Sequence, residues 1–322
     1  MDRPILTGGN QQSHGTAHAL ASADFETLLG DLRRNIEQRL GDLYPDDKNE
    51  SGSPLRAAIS HGVLSPGKRL RPLITLLSCR QCGGDTLDAL DAACAVEIVH
   101  AASLIVDDLP CMDNASMRRS GPSTHAAYGE GVSILAAITL VNDAFRTLSL
   151  MERIDYQKRI AACEKLSNAI GVNGLAGGQE RDLSRTGSAT GDMLAVEQTH
   201  LEKTGALFAA AAGIGAIIAG ARAVEVEAME RYGAALGLAY QTFDDVIDAA
   251  CDQSQTGKDA GQDENRTTIV TLMGARKAYK SGNHWVAKAR EHAYKVDCGA
   301  GAPLINLADA VEAKFKALTS KT

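Results

Sequence analysis

Two groups of aspartates are the residues of this chain whose type and spacing could do chemistry. Asp107, Asp108 and Asp113 follow the apolar run Leu104-Ile105-Val106, and Asp244, Asp245 and Asp248 lie among Tyr240, Phe243, Val246 and Ile247. A carboxylate in apolar surroundings either takes up a proton or acquires a cation. Asp244 and Asp248 are separated by about 40° around a helix, so they share a face. Asp107 and Asp113 would be about 600° apart along a continuous helix. They converge only if the helix breaks near Pro110 and the chain turns back. The donors are all oxygen, with no histidine at ligand spacing, which selects Mg²⁺ over Zn²⁺. A calcium EF-hand is excluded, because its alternating ligands and turn glycine are missing. Two solvated acidic turns remain the competing reading.

Cations stand at intervals around these groups. Gly67-Lys68-Arg69-Leu70-Arg71-Pro72 holds three of them, Arg118-Arg119 follows the first aspartates, and Lys203-Thr204 and Gly257-Lys258 supply two more. Gly62 to Lys68 has the G-x-x-x-x-G-K spacing of a nucleotide-binding loop. Arg69 stands where Ser or Thr is needed, Pro66 interrupts the loop and no strand precedes it, so that reading fails. Arginine offers a planar fork to phosphate and lysine a point charge. Metal-binding carboxylates with two sets of cations describe a site for two diphosphates. The formal net charge of −7 argues against nucleic acid or an anionic membrane surface as partner.

The elements that must position these residues read as helices. Aromatic residues make up only 4% of the chain, and strand-like alternation is scarce. Leu28, Leu29, Leu32, Ile36, Leu40 and Leu43 recur at helical spacing, whereas residues 1–24 read as a flexible arm. Turn signals punctuate the remainder at Ser65-Pro66-Gly67, Gly83-Gly84-Asp85, Gly121-Pro122 and Ser184 to Gly191. No repeat is visible, so residues 25–322 are expected to form one large all-α bundle. The uncharged run Thr204 to Ala221 is rich in Ala and Gly and poor in large apolar side chains, which predicts a buried helix and no transmembrane segment. Residues 1–20 carry no apolar leader, and the expected location is the cytoplasm. Cys79 and Cys82 have no second pair at zinc spacing and read as small apolar residues on one helical face.

These motifs, in this order, resemble the trans-isoprenyl diphosphate synthases, the polyprenyl synthetase family, from about residue 25 to 320. The likeness rests on Gly67 to Pro72, on Asp107-Asp108 with Asp113 and Arg118-Arg119, and on Gly177-Gly178-Gln179. Lys203-Thr204-Gly205, Gln241 with Asp244-Asp245 and Asp248, and Gly257-Lys258-Asp259 complete it. His100 to Asp108, Ile134 to Ala137 and Leu166 to Gly171 are most similar to bacterial carotenoid-type geranylgeranyl diphosphate synthases. The resemblance implies a helical bundle with a central cavity, usually a homodimer. It implies three Mg²⁺, replaceable by Mn²⁺, held mainly by Asp107, Asp113 and Asp244 and supported by Asp108, Asp245 and Asp248. Arg118, Lys203 and Lys258 would hold an allylic diphosphate, with Thr204 and Gln241 nearby. Lys68, Arg71, His100 and Arg119 would hold isopentenyl diphosphate. For His100, a satisfied core histidine is the alternative.

The implied reaction is head-to-tail condensation of the two diphosphates. Ala102 and Ser103, one turn before Asp107, are small where related farnesyl synthases commonly carry an aromatic, which predicts an all-trans C20 product over C15. Val99, Ile98 and the helix bearing Ile134 and Leu135 are candidates for the tunnel floor. Val106 and Arg266 stand where many relatives have His and Lys. A C15 synthase and a non-catalytic partner subunit are the alternatives, the latter disfavoured by intact aspartates. A terpene cyclase would lack the basic cluster at Gly67 to Pro72.

Overall fold

A computed structural model describes residues 14–45, 52–118, 121–184, 192–250, 268–296 and 302–319. In chain order these form α1 (His14–Leu43), α2 (Pro54–Leu64), α3 (Leu70–Gln81) and α4 (Leu90–Asp107). A two-residue antiparallel ribbon follows, β1 (Met117–Arg118) against β2 (Gly121–Pro122), with Met117 opposite Pro122. Then come α5 (Thr124–Tyr128), α6 (Glu130–Ser149), α7 (Tyr156–Ile170), α8 (Leu175–Ser184) and α9 (Met193–His200). A π-helical turn, Leu201–Gly205, leads into α10 (Ala206–Ala219). The chain closes with α11 (Ala223–Ala250), α12 (Ile269–Met273), α13 (Ala275–Tyr294) and α14 (Pro303–Thr319). The expected all-α bundle is present. Helix α1 opens at His14, inside the stretch read as an arm, where alternate alanines favour helix without supplying the large apolar anchors that a periodicity search needs.

Helices α3, α4, α10 and α11 form the centre, with α6 on α4, α7 on α10, and α13 on α11. Glycines set the approach of α10 to both neighbours. A Cβ at Gly215 would lie 2.1 Å from the Thr75 carbonyl of α3, and one at Gly233 would lie 2.2 Å from the Phe208 carbonyl. The Ala/Gly-rich run is therefore a close-packed core helix, with Leu207, Phe208, Ile214 and Ile218 all buried. Polar pins hold the C-terminal helices to this centre. Gln81 Nε2 donates to the carbonyls of Ala293 (2.8 Å) and Val296 (2.9 Å), its Oε1 accepts from the Leu304 amide at 3.2 Å, and the Tyr232 hydroxyl donates to the Leu304 carbonyl.

Burial pushes the Cys79 thiol up to about 12, so it is protonated and packs as an apolar group. Among the described residues two helical stretches, Glu130–Ser149 and Met193–Ala219, are long and apolar enough to cross a membrane, and the second is 72% buried inside the bundle. The first, α6, buries Ala136, Leu140, Ala144 and Leu148 against its neighbours and leaves Ile134, Leu135 and Ile138 about half exposed or more (46%, 54% and 62%). The side chains of Ile134 and Leu135 thus face outward, while the opposite side of α6 packs on α4. Ile98 and Val99, at 0% and 2% exposed, remain in the interior.

Candidate active site

Helix α4 ends at Asp107, and the chain turns back at once. The Leu109 amide donates to the Val106 carbonyl, the Asn114 amide donates to the Leu109 carbonyl, and Asn114 adopts φ +49°. The Asp113 amide then donates to the Asp107 carbonyl at 2.9 Å. This is the fold-back that Pro110 suggested, and it brings Asp113 beside Asp107. Burial pushes the Asp107 carboxyl up to about 6, with Asp113 and Asp108 adding to the rise while Lys203 and Arg118 oppose it. Asp108 is buried, and both its oxygens accept from Arg118 Nε at 2.7 Å. It fixes Arg118 beside the cluster.

The second aspartate group lies on α11. Asp244 and Asp245 are half-buried and Asp248 is exposed at the same end of the helix. Asp245 accepts from Gln241 Nε2 at 3.2 Å and from the Ile269 amide at the start of α12, and lies 3.6 Å from His200 Nε2. Burial raises its carboxyl to about 7, against those hydrogen bonds and with Asp244 and Asp248 adding. The Thr204 hydroxyl donates to Gln241 Oε1 at 3.0 Å, which ties the π turn to α11. π turns are uncommon and recur at functional sites. Here the turn carries Lys203, whose Nζ donates to Asp182 of α8 at 2.6 Å. Helix α8 comes this close because Gly178 has no side chain: a Cβ there would sit 2.2 Å from the Lys203 amide nitrogen. Gln179, 6% exposed, has both polar side-chain atoms buried without a hydrogen-bond partner among the described residues.

The basic loop before α3 divides its cations between two directions. The Lys68 ammonium donates to the Tyr240 hydroxyl at 2.6 Å and lies 5.2 Å from that ring's centroid. Arg71 stacks 4.7 Å over Phe208 and lies 3.1 Å from His100 Nε2. Arg69 points inward instead, to Glu37 of α1 and Glu97 of α4. Lys68, Arg71 and His100 thus gather beside α10 and α11, while Lys203, Arg118 and Asp107 gather at the end of α4. Ala102 is buried and Ser103 half-buried, its hydroxyl donating to the His100 carbonyl of the same helix at 2.9 Å. Arg119, Lys258 and Arg266 lie outside the described residues.

Asp182 was not singled out in the sequence, although it lies three residues beyond Gln179 and so on the same face of α8. Lys314 of α14 was missed as well. Partial desolvation lowers its ammonium pKa, then repulsion from Lys68 and Arg33, while Asp244 opposes them. No local pattern announces either residue.

Whether Mg²⁺ fits is answered by the donors. The two clusters offer only carboxylate oxygens, and the raised Asp107 and Asp245 show buried negative charge short of compensation. Among the described residues no three ligand groups converge tightly enough to hold an ion by themselves. Like charges hold such carboxylates apart, and a diphosphate between them would complete the ligand set.

The polyprenyl synthetase family model matches residues 53–297. The chain belongs to the polyprenyl synthetase family. It is 40% identical over 269 residues to the geranylgeranyl diphosphate synthase of Pantoea ananas, covering 83% of this chain and 86% of that protein. Among solved structures it is similar to an FPP/GFPP synthase of Zymomonas mobilis in its apo form, with 28% identity and a TM-score of 0.80 over 90% of this chain and 99% of that one. A Helicobacter pylori geranyltransferase complexed with magnesium and isoprenyl diphosphate matches with 26% identity and a TM-score of 0.78, over 90% and 97% of the two chains. In this polyprenyl synthetase the two aspartate groups, the basic loop and the lysine-bearing π turn all belong to one matched region.

Proposed function

We propose that this protein is a Mg²⁺-dependent trans-prenyltransferase that condenses isopentenyl diphosphate with an allylic diphosphate, head to tail, to give geranylgeranyl diphosphate. The observation that carries the reading is the grouping of carboxylates and cations in two sets: Asp107 and Asp113 with Arg118 and Lys203 at the end of α4, and Lys68, Arg71 and His100 against the α10 and α11 side, where Asp244 lies one turn beyond the Tyr240 that Lys68 meets. Asp107, Asp113 and Asp244 would hold the ions, three in number and replaceable by Mn²⁺, with Asp108, Asp245 and Asp248 in support. When bound, Mg²⁺ supplies positive charge to the departing diphosphate.

The chain's own groups act around that event. Lys203, held by Asp182, and Arg118, held by Asp108, are aimed before substrate arrives, so they stabilise the allylic diphosphate as its C–O bond breaks and the electron pair leaves with oxygen. Lys258 joins them by family likeness. Thr204 and Gln241 fix the π turn against α11. Lys68, Arg71, His100 and Arg119 orient isopentenyl diphosphate so that its double bond attacks the allylic carbon. The bond between Arg71 and His100 favours a diphosphate-binding role for His100 over that of a general base. The proton lost from the new chain goes to the released diphosphate, and no protein base is assigned. Beneath Asp107, the small Ala102 and Ser103 leave room for a chain beyond fifteen carbons, and Val99 lies deeper as a candidate for the floor.

The exposed apolar face of α6 supports a homodimer, and the location proposed is the cytoplasm. The decisive experiment is mass spectrometry of dephosphorylated products from isopentenyl diphosphate with dimethylallyl, geranyl or farnesyl diphosphate, with and without Mg²⁺. A Mg²⁺-dependent C20 alcohol is expected. A C15 alcohol would keep the reaction and reject the product, and no elongation with any primer would reject the enzyme.

A further inference from the structure

Arg69 is the one cation of the basic loop that no part of the reaction uses, and all three of its guanidinium nitrogens have partners. It is 3% exposed. Its Nε donates to Glu37 Oε1 at 2.7 Å and its Nη1 to Glu97 Oε1 at 2.7 Å. Its Nη2 reaches Glu37 Oε2 at 3.2 Å and the carbonyls of Val63 (3.1 Å) and Ser65 (3.0 Å). Three nitrogens thus meet acceptors on α1, on the last turn of α2, on the connecting loop and on α4. The backbone at the same residue is unusual. Arg69 caps α3 with φ +49°, a left-handed conformation that a long side chain rarely adopts unless its surroundings enforce it.

We propose that Arg69 is a positioning residue for the isopentenyl diphosphate pocket: its guanidinium locks the loop whose conformation aims Lys68 and Arg71. The inference rests on the function proposed above. Lys68 precedes the locked residue, and Arg71 lies in the first turn of the helix that Arg69 caps, where the Leu73 amide donates to the Arg69 carbonyl at 3.1 Å. The direction of both cations therefore follows from Arg69's backbone angles. Lysine cannot replace the fork, because one ammonium on a flexible stem cannot reach acceptors on four separate segments. The allylic side is carried by other elements, Lys203 on the π turn and Arg118 on β1. A loosened loop should weaken one substrate and spare the other.

Calorimetric titration of the full-length protein with isopentenyl diphosphate alone, and separately with geranyl diphosphate and Mg²⁺ alone, reads this without turnover. For Arg69→Lys we expect isopentenyl diphosphate binding to weaken about tenfold or more while geranyl diphosphate binding stays within about twofold. Glu37→Gln, which removes the partly exposed partner and keeps Glu97, should show the same selectivity at smaller amplitude, and it decides the matter if Arg69→Lys does not fold. Equal weakening for both ligands, or none for either, would overturn the proposal. Turnover of the wild type, measured alongside, reports on the proposed reaction separately: an inactive wild type rejects that reaction, and the binding split still decides Arg69.

Discussion

Asp107 and Asp245 carry folded-state pKa values of about 6 and about 7, both raised from 3.8, chiefly by burial. Between the two values of each group the folded chain binds more protons than the unfolded one. The stability they contribute is therefore fully present below about pH 4 and lost as pH rises through 6 and 7. In EDTA, thermal unfolding should fall to lower temperature between pH 5 and pH 8, and Mg²⁺ should restore more at pH 8, where the carboxylates are ionised. An EDTA melting temperature equally flat in wild type and Asp245→Asn would contradict this. Asp107→Asn should lower kcat on the order of 100- to 1,000-fold with the fold retained, read from steady-state rates and circular dichroism. Ala102→Phe should shift the product from C20 to C15, and an unchanged product spectrum would remove that position from chain-length control. Most charged residues proposed for the site were visible in the sequence because their types cluster within a few positions. Asp182 and Lys314 were not, because each meets its partner only after the helices have packed: Asp182 lies 21 residues from Lys203. Arg69 was visible as a charge, but nothing local tells an arginine turned inward from one turned toward substrate.

At the scale of elements, the approach of α8 to the π turn is the most exacting contact of the site. Gly178→Ala places a Cβ against the backbone of Lys203, which cannot move away as a flexible side chain could. We expect a loss of about 1–3 kcal/mol in stability, together with a raised KM for the allylic substrate. Alanine at Gly41, where nothing lies within 4 Å, should do neither. The end of α4 was legible in advance, since Pro110 and the spacing of Asp107 from Asp113 allow convergence only through a reversal. The π turn was not. Thr204 to Ala221 reads as one uninterrupted helix, and the extra residue in the turn is compensated by contacts with α8 and α11 that are remote in sequence. The all-α assignment needed only composition and period, and these are insensitive to such local departures.

For the whole molecule, the outer face of α6 is the surface on which the proposed homodimer rests. Ile138 is 62% exposed beside Ile134 and Leu135 on a helix whose other face is packed. Ile138→Glu should convert a dimer to a monomer in light scattering coupled to size exclusion. A wild type that is already monomeric would reject the homodimer. The sequence marked the helix bearing Ile134 and Leu135 as a candidate tunnel floor, and apolar identity alone does not say which side of that helix meets its own bundle. The polar pin at Gln81 has a consequence for synthesis. Its Oε1 accepts from a backbone amide 223 residues further along the chain. At roughly 5–20 residues per second, a ribosome needs about 10–45 s to deliver that partner. Throughout that interval the Gln81 end of α3 stays uncovered on the emerging chain, which makes the nascent protein a natural client for folding helpers until α14 arrives.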